Sequence, residues 1–346
     1  MLDDRKLKVL LAIINSYISS AEPIGSRTIT KKYDLGVSSA TIRNEMSDLE
    51  DLGYLNKPHS SAGRVPSDKA YRFYVDELLK SNKIATDIIK KLKIKEALMK
   101  ESWEIDELIQ NSAKILSALT SHTAVVASPR MKNSKIRQIQ LVDLDEKEVL
   151  LVIVCETGTV KNSILKLDKP VTSDQLTIIS NFLNSKLSGL TIDQLSNQLD
   201  ENVFKEMYEF KSILEKLIPI LNTSIDDLVS VDLYADGLTK ILNFPEYKDV
   251  EKAKDFISFV EDKKLMLEIL SQSPTTKDIH IIIGSENIYA PIKDISIITA
   301  TYTMGGKIIG KIGLLGPTRM DYPNLIETVK IYSDNISEIL NLLMER

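Results

Sequence analysis

Residues 36–76 read GVSSATIRNEMSDLEDLGYLNKPHSSAGRVPSDKAYRFYVD, and the rest of the chain is organised around them. Ile42, Met46 and Leu49 fall at i, i+4 and i+7, one face of a helix. Ser38 is placed to cap its first amides, and Gly53 to stop it. The opposite face, near the N-terminus, carries Ser39, Thr41, Arg43 and Asn44. Short hydroxyls, a guanidinium and an amide are the groups that meet phosphate oxygens and base edges in DNA. The C-terminal half is acidic, with Glu45, Asp48, Glu50 and Asp51. That end repels phosphate, so the N-terminal turns are the ones expected to enter a groove. An isolated helix of this composition reads first as a capped amphipathic helix with a solvated face; its neighbours reverse that reading.

Upstream, a short helix from about Arg27 to Tyr33 and the tight connection Asp34–Val37 complete a helix, a Gly-containing turn and a second helix. Downstream, Tyr54–Lys57 is extended, Pro58–Arg64 is a small, polar loop, and Val65–Pro66 returns. Two short strands around a loop bearing His59, Ser60 and Arg64 form a wing. The pattern predicts a winged helix-turn-helix. Arg43 and Asn44 are its base-contact candidates, Ser38, Ser39 and Thr41 hold the end that meets phosphate, and His59, Ser60 and Arg64 grip the backbone or minor groove.

These residues also carry a family resemblance. SSATIRNEMSDLEDLGYL followed by PHSSAGRVPSDKAYRFYVD resembles the DNA-binding domain of the heat-inducible transcription repressor HrcA family. Ser60, Val65, Ser67 and Ala70 stand where Thr, Ile, Thr and Gly are expected, and Ala70 matters if that Gly takes an unusual backbone angle. The resemblance extends through Glu156-Thr157-Gly158, YADGLTKILNFPEY (234–247) and GLLGPTRMDYP (313–323). It implies a winged helix, a GAF-like domain and an inserted dimerising domain. It implies a homodimer on an inverted-repeat operator in double-stranded DNA upstream of chaperone operons, kept active by a GroEL-type chaperonin. Composition and spacing carry none of that chaperone logic.

Length and composition set the frame. A chain of 346 residues, 43% hydrophobic, holds two or three packed domains. One cysteine, Cys155, rules out a disulfide within the chain, as suits a reducing cytoplasm. The longest apolar run, Val149–Cys155, is too short for a bilayer, and the opening MLDDRKLKVLLAII lacks the features of a signal peptide, so a cytoplasmic protein without membrane contact is expected. The net charge is −5, but residues 1–80 hold 12 Lys/Arg against 11 Asp/Glu, a net +1. DNA affinity must therefore come from local placement of Arg27, Lys31, Lys32, Arg43, Lys57 and Arg64 and from pairing of two modules.

In chain order, residues 3–19 are a supporting helix with Leu7, Leu10, Leu11, Ile14 and Ile18 on one stripe. Residues 66–80 form a helix whose aromatics pack inward or meet nucleic acid, with Arg72 in reach of phosphate. Residues 81–121 read as a helical linker and the first helix of a second domain. From Ala124 the pattern turns to strands: VVAS, IRQIQLVDL and VLLVIV, then DIHIIIGSE, ISIITATYTM and KIIGKIGLLGP, the last two joined at Gly305-Gly306. A closing helix spans Pro323–Leu343. The fold class is thus α+β and multidomain: a winged helix-turn-helix over 1–80, a linker over 81–121, a GAF-like α+β domain over 122–157 and 251–346, and an inserted α+β dimerisation domain over 158–250.

Within the insertion, Phe204, Met207, Phe210, Leu214, Leu217 and Ile218 give a wide apolar face, either core or a partner surface. Arg319 is either an internal tie to a carboxylate or a contact to a second subunit. The three histidines, His59, His122 and His280, lack metal-ligand spacing, and no phosphate-binding or nucleophile-elbow motif is present. No enzyme activity, cofactor or metal is expected. The rival expectation is a winged-helix regulator whose GAF-like domain answers to a small molecule, by way of an apolar pocket.

Overall fold

The structure is a computed structural model and describes residues 2–59, 62–80, 87–100, 105–128, 134–157, 159–198, 209–272, 278–287, 289 and 293–344. It is mixed α+β and built of several units.

The first unit opens with α1 (Asp4–Ser20), capped by Asp3. Val9, Leu10, Ile13 and Ile14 are fully buried, so α1 lies deeper than a single stripe. Next come α2 (Ser26–Lys32) and α3 (Ser39–Asp51). Ile42 and Leu49 are fully buried and Met46 nearly so, as their spacing requires. Ser38 accepts from the Thr41 amide. Gly53, at φ +77°, ends the helix: its amide bonds the Glu50 carbonyl and that of Tyr54 the Leu49 carbonyl, a Schellman arrangement.

Strands β1 (Leu55–Asn56) and β2 (Val65–Pro66) pair antiparallel. Ile24 adds a third rung, exchanging 2.9 Å backbone hydrogen bonds with Arg64. Gly63 is required there, since a Cβ would stand 2.5 Å from the Ile24 backbone. Helix α4 (Asp68–Lys80) closes the unit. Ala70 is buried within α4 and is not among the residues with positive φ, so its substitution for Gly imposes no strain. The aromatics of α4 pack inward: Tyr71 is buried against Tyr322, and Phe73 meets Tyr54 edge-on at 5.8 Å.

Helices α5 (Ile88–Lys100) and α6 (Ile105–Thr120) lead to β3 (Thr123–Ala127). β4 (Ile136–Asp145), β5 (Glu148–Cys155) and β6 (Val160–Lys166) follow, then α7 (Ser173–Leu187), α8 (Ile192–Gln198), α9 (Lys211–Val229) and β7 (Leu233–Asp236). α10 (Val250–Glu261), α11 (Lys263–Gln272), β8 (His280–Ile283), β9 (Ile295–Met304), β10 (Lys307–Pro317) and α12 (Tyr322–Met344) complete the chain.

Pairing of these strands departs from the expectation. β4 and β5, expected in the same sheet as β3, instead form a separate antiparallel sheet, β4-β5-β6. β7, expected in the insertion, pairs with β3 in the five-stranded antiparallel sheet β7-β3-β10-β9-β8. The small sheet closes its own core: Ile139, Leu151, Ile153 and Leu165 pack on Leu176, Ile179 and Leu183 of α7 and Leu217 and Leu221 of α9. The interruption of the larger sheet therefore begins after β3 and ends before β7. Period-2 patterning marks each of these strands but is satisfied by either pairing.

The five-stranded sheet is covered on both faces. Ala124, Val126, Ile298, Ala300, Ile312 and Leu314 face α6 and α12, while Val125, Ile295, Ile297 and Leu315 face α10 and α11. Gly305 and Gly306, at φ +57° and +76°, make the two-residue turn between β9 and β10. In α12, Ile326, Val329, Ile336 and Leu340 are fully buried. No helix among the described residues is long and apolar enough to cross a membrane.

Candidate nucleic-acid interface

Arg43 and Asn44 are exposed on α3, and among the described residues their side chains make no hydrogen bond or ion pair. They lie one turn into a helix whose N-terminus is held rigidly. The Ser38 and Thr41 hydroxyls are 3.0 Å apart over the cap, and the Ser39 hydroxyl is 3.1 Å from that of Ser26, fixing α3 against the start of α2. Ser38 and Thr41 thus combine a capping role with an exposed or half-exposed position. Ser39 is a structural tie as much as a surface group.

The acidic half of α3 is arranged differently from its sequence reading. Glu45 is buried and pairs with Lys6 at 3.0 Å and Arg5 at 3.5 Å, and Asp48 pairs with Lys6 at 3.1 Å. The Glu45 and Asp48 carboxylates raise the Lys6 pKa further above its ordinary value. Glu50 binds Arg64 at 2.6 Å. Cations of α1 and of the hairpin thus neutralise Glu45, Asp48 and Glu50, weakening the charge that repels phosphate. The helical spacing of α3 set Glu45 on the inner face beside Met46 and Leu49, a signal the sequence did contain.

Arg64 is correspondingly not a projecting cation. Its side chain is 18% exposed and committed to Glu50, and its backbone is bridged to Ile24. It fixes the base of the hairpin to α3. His59 is exposed, and its carbonyl accepts from the Ala62 amide, turning the loop. Ser60 lies outside the described residues, as do Phe204 and Met207.

The cations to which the charge count assigned affinity are exposed apart from Arg64: Arg27, Lys31 and Lys32 on α2, Arg43 on α3 and Lys57 at the hairpin. Arg72, expected to reach phosphate, is turned away from this face, donating from Nε to Glu286 at 2.6 Å and from Nη2 to the Ile281 carbonyl at 2.6 Å.

Of the other candidates, Phe210 is half-buried and packs on the core of the small-sheet unit, beside the buried Leu214 and Leu217. Arg319 is an internal tie. Its Nε donates to Glu246 at 2.7 Å and its Nη1 to the Ile18 carbonyl at 2.6 Å, with the Phe244 ring 6.0 Å away. It joins the end of α1 to the segment before α10. Cys155 is buried, and burial raises its thiol pKa. The apolar surface that sequence reading passed over is the outer face of β4-β5-β6. Val142, Leu150 and Ile164 stand in one cross-strand row, with Leu144 and Val160 beside them. Ile164 is 56% and Val160 53% exposed. Alternation along these strands was the available signal, once their pairing is known.

Comparison with known proteins agrees with this architecture. The family model for the HrcA protein C-terminal domain matches residues 106–326. The heat-inducible transcription repressor HrcA of Thermoanaerobacter pseudethanolicus is 43% identical over 340 residues, covering 98% of this chain and 97% of that protein. Its counterpart in Alkaliphilus metalliredigens is 41% identical, covering 98% of each chain. That in Clostridium tetani is 42% identical, covering 98% and 96%. A solved structure described as a hypothetical protein superposes with a TM-score of 0.70 at 25% identity, covering 99% of this chain and 100% of that one. With full-length likeness at this identity, and a family model spanning more than half of its residues, the chain belongs to the HrcA family of heat-inducible transcription repressors.

Proposed function

We propose that this protein is a sequence-specific, DNA-binding repressor of heat-shock chaperone operons that acts as a homodimer on an inverted-repeat operator. Its first unit works as a winged helix: α3 enters the major groove, and the β1–β2 hairpin lies along the backbone. The observation that carries the reading is the pair Arg43 and Asn44, exposed and uncommitted on a helix end fixed by Ser38 and Ser39. Arg43 recognises guanine in bidentate fashion and Asn44 adenine, each contact worth about 1–3 kcal/mol of discrimination. Ser38, Thr41, His59 and Ser60 hold the backbone, with Arg64 setting the wing's angle. Arg27, Lys31, Lys32 and Lys57 supply the phosphate attraction that the near-neutral unit lacks overall.

Dimerisation is assigned to the small-sheet unit, through the open apolar row Val142, Leu150 and Ile164. The five-stranded unit is GAF-like. Activity is supported by a GroEL-type chaperonin, a reading that rests on family membership. Localisation in the cytoplasm follows from the same function. The test is binding of purified protein to a labelled inverted repeat with and without chaperonin. Binding that exceeds scrambled DNA and rises with chaperonin is expected; specific binding indifferent to chaperonin would move control elsewhere.

The small-molecule alternative has one observation behind it. A cavity of about 270 Å³ lies between α11 and β10, lined by Ala127, Leu267, Leu270, Ile308 and Lys311. Thermal stabilisation by a metabolite would favour that reading.

A further inference from the structure

Helix α5 follows the DNA-binding unit and buries only one side. Ile94 and Leu98 are buried, while Ile88 is 73%, Leu92 62% and Met99 47% exposed. Residues 88, 92, 95 and 99 are spaced by four, three and four, so they share one face, the spacing of a helix-pairing seam. Lys95 lies in the middle of that seam, but its ammonium is drawn aside to Glu338 at 2.9 Å, leaving its methylene stem on the seam. Lys90 and Lys91 are likewise tied to α12, at Glu327 and Glu338. A helix rich in lysine thus presents an apolar strip with its positive charge largely answered from within the chain.

We infer that the outward face of α5 pairs with α5 of a second copy, antiparallel about a two-fold axis between Leu92 and Lys95. This rests on the dimer reading given above and adds a second contact to it. Charge decides the direction. Antiparallel pairing that sets Ile88 on Met99 of the second copy also brings Asp87, which caps its own helix, towards Lys100, and Lys91 towards Glu96, so that the in-chain pairs Lys91–Glu338 and Glu96–Lys100 extend into networks of alternating sign. Parallel pairing sets each of these charges on its like. One helix face per copy buries less than a stable dimer needs, so this seam reinforces the dimer at the operator and does not create it. It would set the spacing of the two recognition helices, because α5 is tied to α12 by Lys90 and Lys91 while Arg72 holds the first unit on the five-stranded sheet.

The test uses the full-length chain, whose single cysteine is buried. The double variant Ile88→Cys/Met99→Cys, bound to the full inverted repeat, is treated with a short bismaleimide. Cross-linked dimers are expected. Ile88→Cys alone should not cross-link, since eleven residues separate the positions, about 16 Å along the helix axis. Leu92→Asp should weaken binding to the full repeat tenfold or more while leaving half-site binding unchanged. Dimers on the repeat that do not cross-link and that tolerate Leu92→Asp would overturn the seam and leave the dimer reading standing. Protein that is monomeric on the repeat would overturn both. If Leu92→Asp removes only the response to chaperonin and no cross-link forms, the strip is a chaperonin contact and the seam is wrong.

Discussion

Arg72 of α4 grips Glu286 just after β8, with Nε to Oε1 at 2.6 Å, while its Nη2 also reaches the Ile281 carbonyl. Beside it, the Asp68 carboxylate accepts from the Ser285 amide at 2.8 Å, over Gly284, where a Cβ would collide with that carboxylate. Together with Arg319 on the Ile18 carbonyl, these contacts hold the first unit against the five-stranded sheet. The orientation of the candidate DNA-binding face is therefore fixed from the sheet side.

Replacing Arg72 with Ala should loosen that docking. Charge-assisted hydrogen bonds contribute about 1–3 kcal/mol. The lower end is expected, because the Arg72 and Glu286 side chains are 29% and 37% exposed. Thermal unfolding should show a lower midpoint, and hydrogen exchange should quicken in α4 and β8. Unchanged exchange there would mean that the units are held by packing alone.

Gly63→Ala should cost about 1–3 kcal/mol through overpacking, because the added methyl meets the Ile24 backbone, not a side chain that can move. Operator binding should fall with it, as the hairpin base shifts against α3. A variant of wild-type stability would contradict the three-rung arrangement.

Acidification should destabilise the fold. His122 is buried with its pKa lowered below 6.5 by burial first and then by Lys240 and Arg319. His280 is lowered by burial and by Arg72 and Lys311. In both cases the unfolded chain takes up protons that the folded chain refuses. Stability is therefore complete above pH 6.5 and falls as pH drops through and below it. Unfolding midpoints from pH 7.5 to about 5.5 should decline, and the double variant His122→Gln/His280→Gln should flatten the decline. An unaltered slope would place the titrating groups elsewhere.

Ile164→Asp should turn the dimer to monomer in sedimentation while changing stability within about 0.5 kcal/mol, as an exposed position allows. A persistent dimer would move the contact off the small sheet.

Much of this was legible in the sequence where the signals are local. The Ser38 cap, the Gly53 stop, the Gly305-Gly306 turn and the buried faces of α3 and α12 follow from residue type and spacing. Strand pairing was not legible. β4 and β5 carry the alternation of any half-buried strand, and nothing local says that their partner is β6 or that β3 pairs with β7. Ion-pair commitments were equally hidden. Arg64 and Arg72 read as phosphate ligands because a guanidinium has the same sequence signature whether it meets phosphate, Glu50 or Glu286. Arg43 and Asn44 differ only in that, among the described residues, the fold leaves them nothing to bind.

The central claim is that these two side chains read DNA, and the most direct test is Arg43→Ala on the inverted repeat across a salt series. The account predicts an affinity loss of about 1–3 kcal/mol on the specific site, relaxed preference at one base pair and an unchanged melting temperature, with wild-type binding weakening steeply as salt rises. Wild-type affinity and specificity in the Arg43→Ala protein would contradict it.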